Sequence, residues 1–537
     1  MERVLLQTLL RPSDRQSSAV DRALAEALLS GGNSRLALDP RTLLNRYGTS
    51  PWPRPMELSF SSSTASTISE EAYAAARAAF ARFGERADAR VQERAFQDLV
   101  ERTRQEIKTS FELPAETGVV LSPSGTDAEL HALFLSRQVL GGPIAAIIVA
   151  AEETGSGTGL AAAGRHFDSI TSAGRRVTKG GAVEGLAAEA PNREISARDK
   201  DGELRPARTV DEDVLQHLEE TRRAGLKVVL HVMDHSKTGA HYPSDGCIDV
   251  IQSRRRSDVQ IVVDACQTRL SRARLRWYLD RGCIVLITGS KFFAGPAFSG
   301  ALLVPAEVAA RLPDAGTAPS GLADYSSRYD WPAEWAFRSQ LPARTNVGQL
   351  LRWVAALEEI RAYYAVPELF RRLALQELGN VIERSVARYP SLSLLAPAER
   401  LGSGGGDEFD NPTIFSVLVA RGGHLLTPQQ STALFHALNE DVSAIFSTHG
   451  AQIAACLCHI GQPVAVANGS GGVAGALRLA LDARAVSRSW SADGFSSGTE
   501  KMQRVAQQIH MVMDKLALLV EHFDRLDEPL GAAVAGN

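Results

Sequence analysis

Residues 283–300 read CIVLITGSKFFAGPAFSG, and the prediction of the fold starts from this stretch. It begins with the apolar run 283–288 and passes through Gly289 and Ser290 to Lys291, before a Gly-Pro turn. A continuous apolar run, unlike an alternating one, is typical of a strand that is covered on both faces. Because lysine is rarely buried unless it is paired, Lys291 directly after such a strand indicates an amine with a function.

Similar short apolar runs alternate with helical patterns along the chain. The pattern predicts strands at residues 118–121, 144–150, 227–233, 259–264, 283–288 and 301–304, and helices at 127–140, 210–224, 249–256 and 269–281. This alternation favours an α/β fold in which helices cover a mostly parallel sheet.

Three regions are expected in the chain. Residues 1–100 form a helical and irregular segment that packs near the active site, and residues 101–343 form the large α/β domain. Residues 344–537 form linking helices and a smaller C-terminal α+β domain, which contains the Gly-rich loop 402–406.

One segment of the first region allows two structural interpretations. Residues 45–69 are rich in Pro and Ser, which predicts an irregular segment. It is either a linker or an ordered loop that packs over a site, because it carries Tyr47, Trp52 and Arg54.

Composition restricts the classes of partner. The 537 residues are 44% hydrophobic and 22% charged, with a formal net charge of −4, which is typical of a folded globular protein without a basic surface for nucleic acid or an anionic membrane. The five cysteines include no CxxC pair, which favours reduced thiols in the cytoplasm. No apolar stretch has the length of a membrane span, and the N-terminus does not have the pattern of a secretory leader.

Three segments place polar residues after predicted strands. Ser124, Gly125 and Thr126 follow the first strand and open a helix, which is the usual construction of an anion seat. Asp264 ends another strand, and Lys291 follows a third. Ligands of open α/β sheets bind beyond the carboxyl ends of the strands, so these segments are expected to meet.

Together these segments match the needs of pyridoxal 5′-phosphate. Ser290 joins the anion seat for the phosphate, Asp264 keeps the pyridine nitrogen protonated, and Lys291 forms the Schiff base and then moves protons. The spacing of 27 residues, 291 − 264, leaves room for one helix between two neighbouring strands.

At this point the sequence resembles the fold type I pyridoxal-phosphate enzymes, specifically the class V aminotransferase and cysteine desulfurase superfamily. Residues 264–267 (DACQ) are similar to the D-x-x-Q motif of that superfamily. Ser290-Lys291 with the following Gly-Pro is similar to its lysine segment, although the intervening His is missing. The resemblance implies that Gln267 hydrogen-bonds the phenolic oxygen of the cofactor.

The resemblance also implies further contacts. The turn DHSKTG makes Ser236 or His235 a candidate contact to the ring, and Arg478 would hold the α-carboxylate of the substrate. Residues 344–346 (RTN) resemble the G-T-x-N segment, whose Thr345 would reach the phosphate in a neighbouring subunit. A homodimer with active sites at its interface is therefore expected.

Two departures from the superfamily pattern matter. Where a His often stacks on the ring, this chain has Glu153 and Thr154, and one of these would have to cover it. In the loop that carries the nucleophilic Cys of one desulfurase branch, alignment on Pro463 puts Gly461 at that position and Cys458 three residues earlier. Persulfide chemistry is therefore not expected, and no role follows for Cys458 or its neighbour Cys456.

The resemblance implies a pyridoxal-phosphate enzyme that acts on an amino-acid-like substrate through an external aldimine and a Cα carbanion, as an aminotransferase or a C–S lyase. The alternatives are a decarboxylase or a carbon–carbon bond-forming biosynthetic enzyme. A different class is a non-catalytic nucleotide- or anion-binding protein. No metal site is expected, because His231, His235 and His241 are better explained by ordinary polar or cofactor contacts.

Overall fold

The computed structural model describes residues 18–84, 89–255, 257–314, 316–396, 407–446, 448–468, 472–493 and 495–526. The loop predicted at 402–406 lies outside these residues. No helix in the described ranges combines the length and the apolar character that a bilayer crossing requires.

The strands and helices are numbered in chain order. The strands are β1 Glu57–Phe60, β2 Gly118–Ser122, β3 Ile144–Val149, β4 Arg193–Ile195, β5 Lys227–Met233, β6 Val259–Asp264, β7 Ile284–Thr288, β8 Gly300–Val304, β9 Leu392–Leu394, β10 Ile414–Arg421, β11 His424–Leu425, β12 Leu457–Ala467 and β13 Val473–Ala480. The α-helices are α1 Ala19–Leu29, α2 Glu70–Gly84, α3 Ala89–Ser110, α4 Gly125–Leu140, α5 Thr158–Ala162, α6 Ala207–Arg223, α7 Asp245–Arg255, α8 Arg272–Asp280, α9 Ala306–Ala309, α10 Val347–Tyr364, α11 Glu368–Ala387, α12 Pro428–Leu438, α13 Thr448–Ala454, α14 Ala483–Ser489 and α15 Phe495–Glu521.

The larger sheet has the strand order β2-β8-β7-β6-β5-β3-β4. Strands β7, β6, β5, β3 and β4 are parallel, while β8 is antiparallel to both of its neighbours. Every residue of β2, β3, β7 and β8 is buried, which explains the continuous apolar runs in the sequence. Since β2 runs in the same direction as β7, the segments that follow β2, β3, β5, β6 and β7 all meet at one edge of the sheet.

The second sheet is built mainly from the C-terminal part of the chain. Its order is β1-β12-β13-β10-β11, and β9 pairs with β10. Strand β1 lies in the segment predicted to be irregular, and it pairs in parallel with β12, with Glu57 opposite Leu457. Four residues among prolines and serines have no periodicity that would reveal a strand, because its partner lies far along the chain.

The first helix is fastened to the centre of the molecule by α10. Arg352 of α10 donates to the carbonyl oxygens of Leu28 and Ser30, each at 2.7 Å. A Cβ atom at Gly348 would lie 2.3 Å from the carbonyl oxygen of Ala27, so a side chain larger than hydrogen would separate the two helices. The residues that follow α1 are thereby placed against the site edge of the large sheet.

Candidate functional site

A cavity of about 460 Å³ opens at the carboxyl edge of the large sheet. Most residues predicted for the site line it, and these are Ser124, Gly125, Thr126, Thr154, Asp264, Gln267, Ser290, Lys291 and Arg478. Ser236 and Thr345 do not. The hydroxyl of Ser236 instead donates to Glu153 Oε2 at 2.8 Å, and Thr345 is exposed on the described chain. His235, the alternative to Ser236, does line the cavity.

The anion seat begins where β2 turns into α4. Ser124 caps the helix, and its Oγ accepts the backbone N–H of Asp127 at 3.3 Å. A Cβ atom at Gly125 would lie 2.6 Å from Cys266 Sγ, so the close approach of the two segments requires glycine there. The backbone N–H groups at the start of α4 carry the partial positive charge that favours an anion.

An arginine that sequence analysis missed completes this seat. Arg35 Nη2 donates to Ser124 Oγ at 3.2 Å, and Arg35 lines the cavity. Asn33 Oδ1 accepts from Arg35 Nε at 3.0 Å, and the guanidinium lies 4.7 Å from the ring centroid of Phe298. No motif surrounds Arg35 in the sequence, so only the folding of the N-terminal segment onto the sheet reveals it.

Asp264 is held in place from two directions. The backbone N–H of Cys266 donates to Asp264 Oδ1 at 3.0 Å, and Thr154 Oγ1 donates to Asp264 Oδ2 at 2.7 Å. Glu129 also lines the cavity; its Oε2 lies 2.9 Å from His231 Nδ1, and burial raises the pKa of the Glu129 carboxyl. Thr154 therefore positions the carboxylate that was predicted to face the pyridine nitrogen.

Glu153, the other candidate to cover a ring, has its carboxylate already engaged. It accepts hydrogen bonds from Arg198 Nε at 2.6 Å and from Thr238 Oγ1 at 2.8 Å. Ser236 also donates to it. Both Glu153 and Thr154 line the cavity.

Lys291 lines the cavity, and its side-chain amine is not bound by neighbouring residues. Within the described part of the chain, no hydrogen bond or ion pair holds its ammonium group. Burial lowers the pKa of Lys291, while the negative charge of Asp264 acts in the opposite direction. A lowered pKa keeps a larger fraction of the amine unprotonated and nucleophilic.

Gln267 connects the cavity to the segment that precedes the large domain. Its Nε2 donates to the carbonyl oxygen of Ser63 at 3.1 Å, whereas its buried Oε1 has no hydrogen-bond partner among the described residues. Ser63, Thr64 and Tyr47 all line the cavity. Of the two interpretations of residues 45–69, the structure therefore confirms the ordered loop over a site.

Two other residues of the segment 45–69, Trp52 and Arg54, do not line the cavity. Arg54 Nη1 instead lies 2.5 Å from Glu57 Oε2 and 3.0 Å from Asn439 Oδ1. These contacts join the loop to the second sheet and to the end of α12.

Arg478 approaches the cavity from β13 of the second sheet. It is 4% exposed, and it donates to the carbonyl oxygen of Gln462 at 2.9 Å and to Thr64 Oγ1 at 2.9 Å. Ser63 O is a third, longer contact at 3.4 Å. Burial lowers the pKa of Arg478 to about 10. These partners are neutral, and a guanidinium has five N–H donors, so the group keeps charge and donors for an anion.

The cysteines of the C-x-C pair lie outside the cavity. Cys458 is buried in β12, and burial raises the pKa of its thiol to about 12. Cys456 donates to the carbonyl oxygen of Gln452 at 3.6 Å. A thiol with so high a pKa forms little thiolate and is a weak nucleophile.

The residues present fit pyridoxal phosphate. The free amine of Lys291 and the unpartnered Oε1 of Gln267 face one space, and the fixed carboxylate of Asp264 and the seat at Ser124 and Arg35 bound it. An aldehyde, a phenolic oxygen, a pyridine nitrogen and a phosphate are the groups that such partners suit.

Comparison with known proteins finds likeness in structure only. No protein-family model matches the chain, and no curated protein matches it significantly. Catharanthus roseus tryptophan decarboxylase in complex with L-tryptophan is 14% identical, with a TM-score of 0.50 over 87% of this chain and 84% of that chain. The cystine C-S lyase C-DES with its product cysteine persulfide is 15% identical, with a TM-score of 0.48 over 83% of this chain and 97% of that chain.

The cysteine desulfurase CsdA from Escherichia coli is 15% identical, with a TM-score of 0.45 over 84% of this chain and 94% of that chain. Identities this low establish the fold and nothing finer. The predicted fold class is confirmed: the chain has the fold of the fold type I pyridoxal-phosphate enzymes.

Proposed function

We propose that the protein is a pyridoxal-phosphate-dependent enzyme that acts at Cα of an amino-acid-like substrate. The observation that carries this proposal is the pairing, in one cavity, of an unbound amine at Lys291 with a fixed carboxylate at Asp264. The N-terminus of α4, which Ser124 caps, and the neighbouring Arg35 support binding of the phosphate group of the cofactor.

Each residue has a definite task under this proposal. The cofactor, when bound, withdraws electrons from the bonds at Cα of an amine substrate. Lys291 Nζ would hold the cofactor through its aldehyde group and, when free, would accept or donate the proton at Cα of the substrate. Asp264 holds the proton on the pyridine nitrogen, because a nearby negative charge favours the protonated form. Arg478 orients the substrate through its α-carboxylate.

The reaction that follows is proposed as transamination or C–S lyase chemistry. The buried Cys458, with its raised thiol pKa, supports a route in which no protein cysteine accepts sulfur. Product analysis separates the two: a keto acid with aminated cofactor indicates transamination, whereas sulfide and ammonia indicate a lyase. Carbon dioxide would instead indicate the decarboxylase alternative.

A homodimer in the cytoplasm is part of the proposal. The exposed position of Thr345, just before α10, leaves it accessible to a second copy of the chain. Sedimentation of the purified protein should give twice the mass of one chain, and Thr345→Ala should weaken cofactor retention in that dimer.

The decisive experiment for the proposed function is reduction of the purified protein with borohydride after addition of pyridoxal phosphate. We expect a visible absorption band that reduction abolishes, with the label on the peptide that contains Lys291. A protein that stays colourless and unlabelled would overturn the proposal and favour the anion-binding alternative.

A further inference from the structure

Lys237 lines the cavity, yet the roles assigned so far do not use it. It follows β5, and its backbone N–H donates to the carbonyl oxygen of Glu153 at 3.1 Å, which fixes the turn. Its side chain is partly buried, and no described residue makes a hydrogen bond or ion pair with its ammonium group. A lysine of this kind inside a cavity is unusual, because burial is costly for an unpaired charge.

Other positive charges line the same cavity as Lys237, among them Arg478 and Lys291. Burial and these charges lower the pKa of Lys237 to about 8. Glu153 and Asp264 act in the opposite direction. Lys237 therefore shares its cavity with the predicted Schiff-base lysine, Lys291, and the predicted carboxylate-binding arginine, Arg478.

The carboxylates near Lys237 are committed to other partners. Glu153 accepts from Arg198, Ser236 and Thr238. Asp264 accepts from Thr154 and from the backbone of Cys266. Neither is within ion-pair distance of the Lys237 ammonium, so the described residues supply it with no counter-ion.

The anions of the proposed function do not supply that counter-ion. A phosphate would lie at the seat formed by Ser124 and Arg35, and an α-carboxylate would lie on Arg478. Lys237 is then left with a positive charge and three donors in a space where a substrate side chain would extend.

Resting on the proposed function, we propose that Lys237 binds a second anionic group of the substrate, which makes the substrate a dicarboxylic amino acid. The carboxylate of the side chain receives a charge-assisted hydrogen bond from Nζ, while Arg478 holds the α-carboxylate. Two cations at fixed positions then select both the length and the charge of the substrate, since a neutral side chain would leave the lysine unpaired.

The test is an equilibrium titration of the cofactor-loaded protein, followed by the absorption of the cofactor. L-Aspartate is compared with L-asparagine, and L-glutamate with L-glutamine, because each pair differs in charge but hardly in shape. We expect one acid to bind at least about tenfold more tightly than its amide. In Lys237→Gln this preference disappears while the affinity for the amide stays within about twofold, and Lys237→Arg keeps most of the preference.

Two results would overturn the inference and leave the proposed function intact. Wild-type protein that binds acids and amides equally well has no second anion site. A Lys237→Gln variant that weakens acids and amides by the same factor shows a lysine that acts on the reacting centre. If the protein takes up no cofactor at all, the proposed function itself fails, and the inference fails with it.

Discussion

Lys515 and Lys291 both lie inside this protein, but their surroundings differ. Lys515 of α15 is 0% exposed, and its Nζ donates to three backbone carbonyl oxygens: Leu438 at 2.9 Å, Glu440 at 2.6 Å and Cys456 at 2.6 Å. Lys291 faces a cavity without a hydrogen bond or ion pair to the described residues. Burial lowers the pKa of both lysines.

The comparison shows that burial alone does not make an amine reactive. All three ammonium hydrogens of Lys515 are used to join the end of α12 to the start of β12, so the group acts as a structural tie. The pKa of Lys291 is lowered as well, but its donors are free and a cavity lies beside it. Unused hydrogen-bonding capacity, together with a cavity, distinguishes the proposed functional lysine from the structural one.

Replacement of Lys291 should have the largest effect on turnover. In Lys291→Ala we expect turnover to fall by at least about 10³-fold, because both the covalent attachment and the proton transfer are lost. The variant should unfold at the same urea concentration as the wild type, since no hydrogen bond is broken. Retention of the visible band in this variant would show that another amine holds the cofactor.

Replacement of Lys515 should lower the stability of the protein and leave turnover unchanged. Lys515→Met removes the donor from three carbonyl oxygens, of which one is in a buried contact and two are in part-buried contacts, so the free energy of unfolding should fall by about 3 kcal/mol. Turnover per folded molecule should not change. Urea unfolding measures the loss, and Lys501→Met, which removes one contact to the carbonyl oxygen of Trp490 near the surface, is the matched control. Equal midpoints for the two variants would contradict the structural role.

Arg478 is intermediate between Lys291 and Lys515, because neutral groups accept hydrogen bonds from only some of its N–H donors. In Arg478→Gln the KM for amino acids should rise about 30-fold, which corresponds to about 2 kcal/mol, while the cofactor band stays intact. Arg478→Lys keeps the charge but not the paired donors, so it should recover only part of the affinity. Unchanged saturation behaviour in the Gln variant would remove Arg478 from the site.

The smallest effect is expected at Arg35, which shares the anion seat with the helix N-terminus. Arg35→Gln should weaken pyridoxal-phosphate binding about tenfold, or about 1.4 kcal/mol, because the other donors of the seat remain. Titration of the apo-protein with cofactor measures this shift. The exposed Arg41→Gln is the control, and an equal loss in both variants would mean that only general positive charge matters.

Much of the large sheet could be predicted from local pattern. Residues 144–149 and 284–288 are continuous apolar runs, and they form buried parallel strands within a residue of the predicted bounds. The short strand β4 was missed, because Arg193–Ile195 has no apolar periodicity. Strand β1 was missed for a similar reason, since only pairing with β12 makes it a strand.

The chemistry at the strand ends can be read from the amino-acid sequence: a lysine, a carboxylate and a small-residue turn each follow a buried strand, and parallel strands bring such ends to one edge. Which distant groups join them depends on the three-dimensional fold. Arg35 comes from the N-terminal segment, Ser63 from the ordered loop and Arg478 from the second sheet. The fold also determines which lysine amines are free. An amine finds hydrogen-bond partners among carbonyl groups far along the chain, and residue type does not encode these contacts.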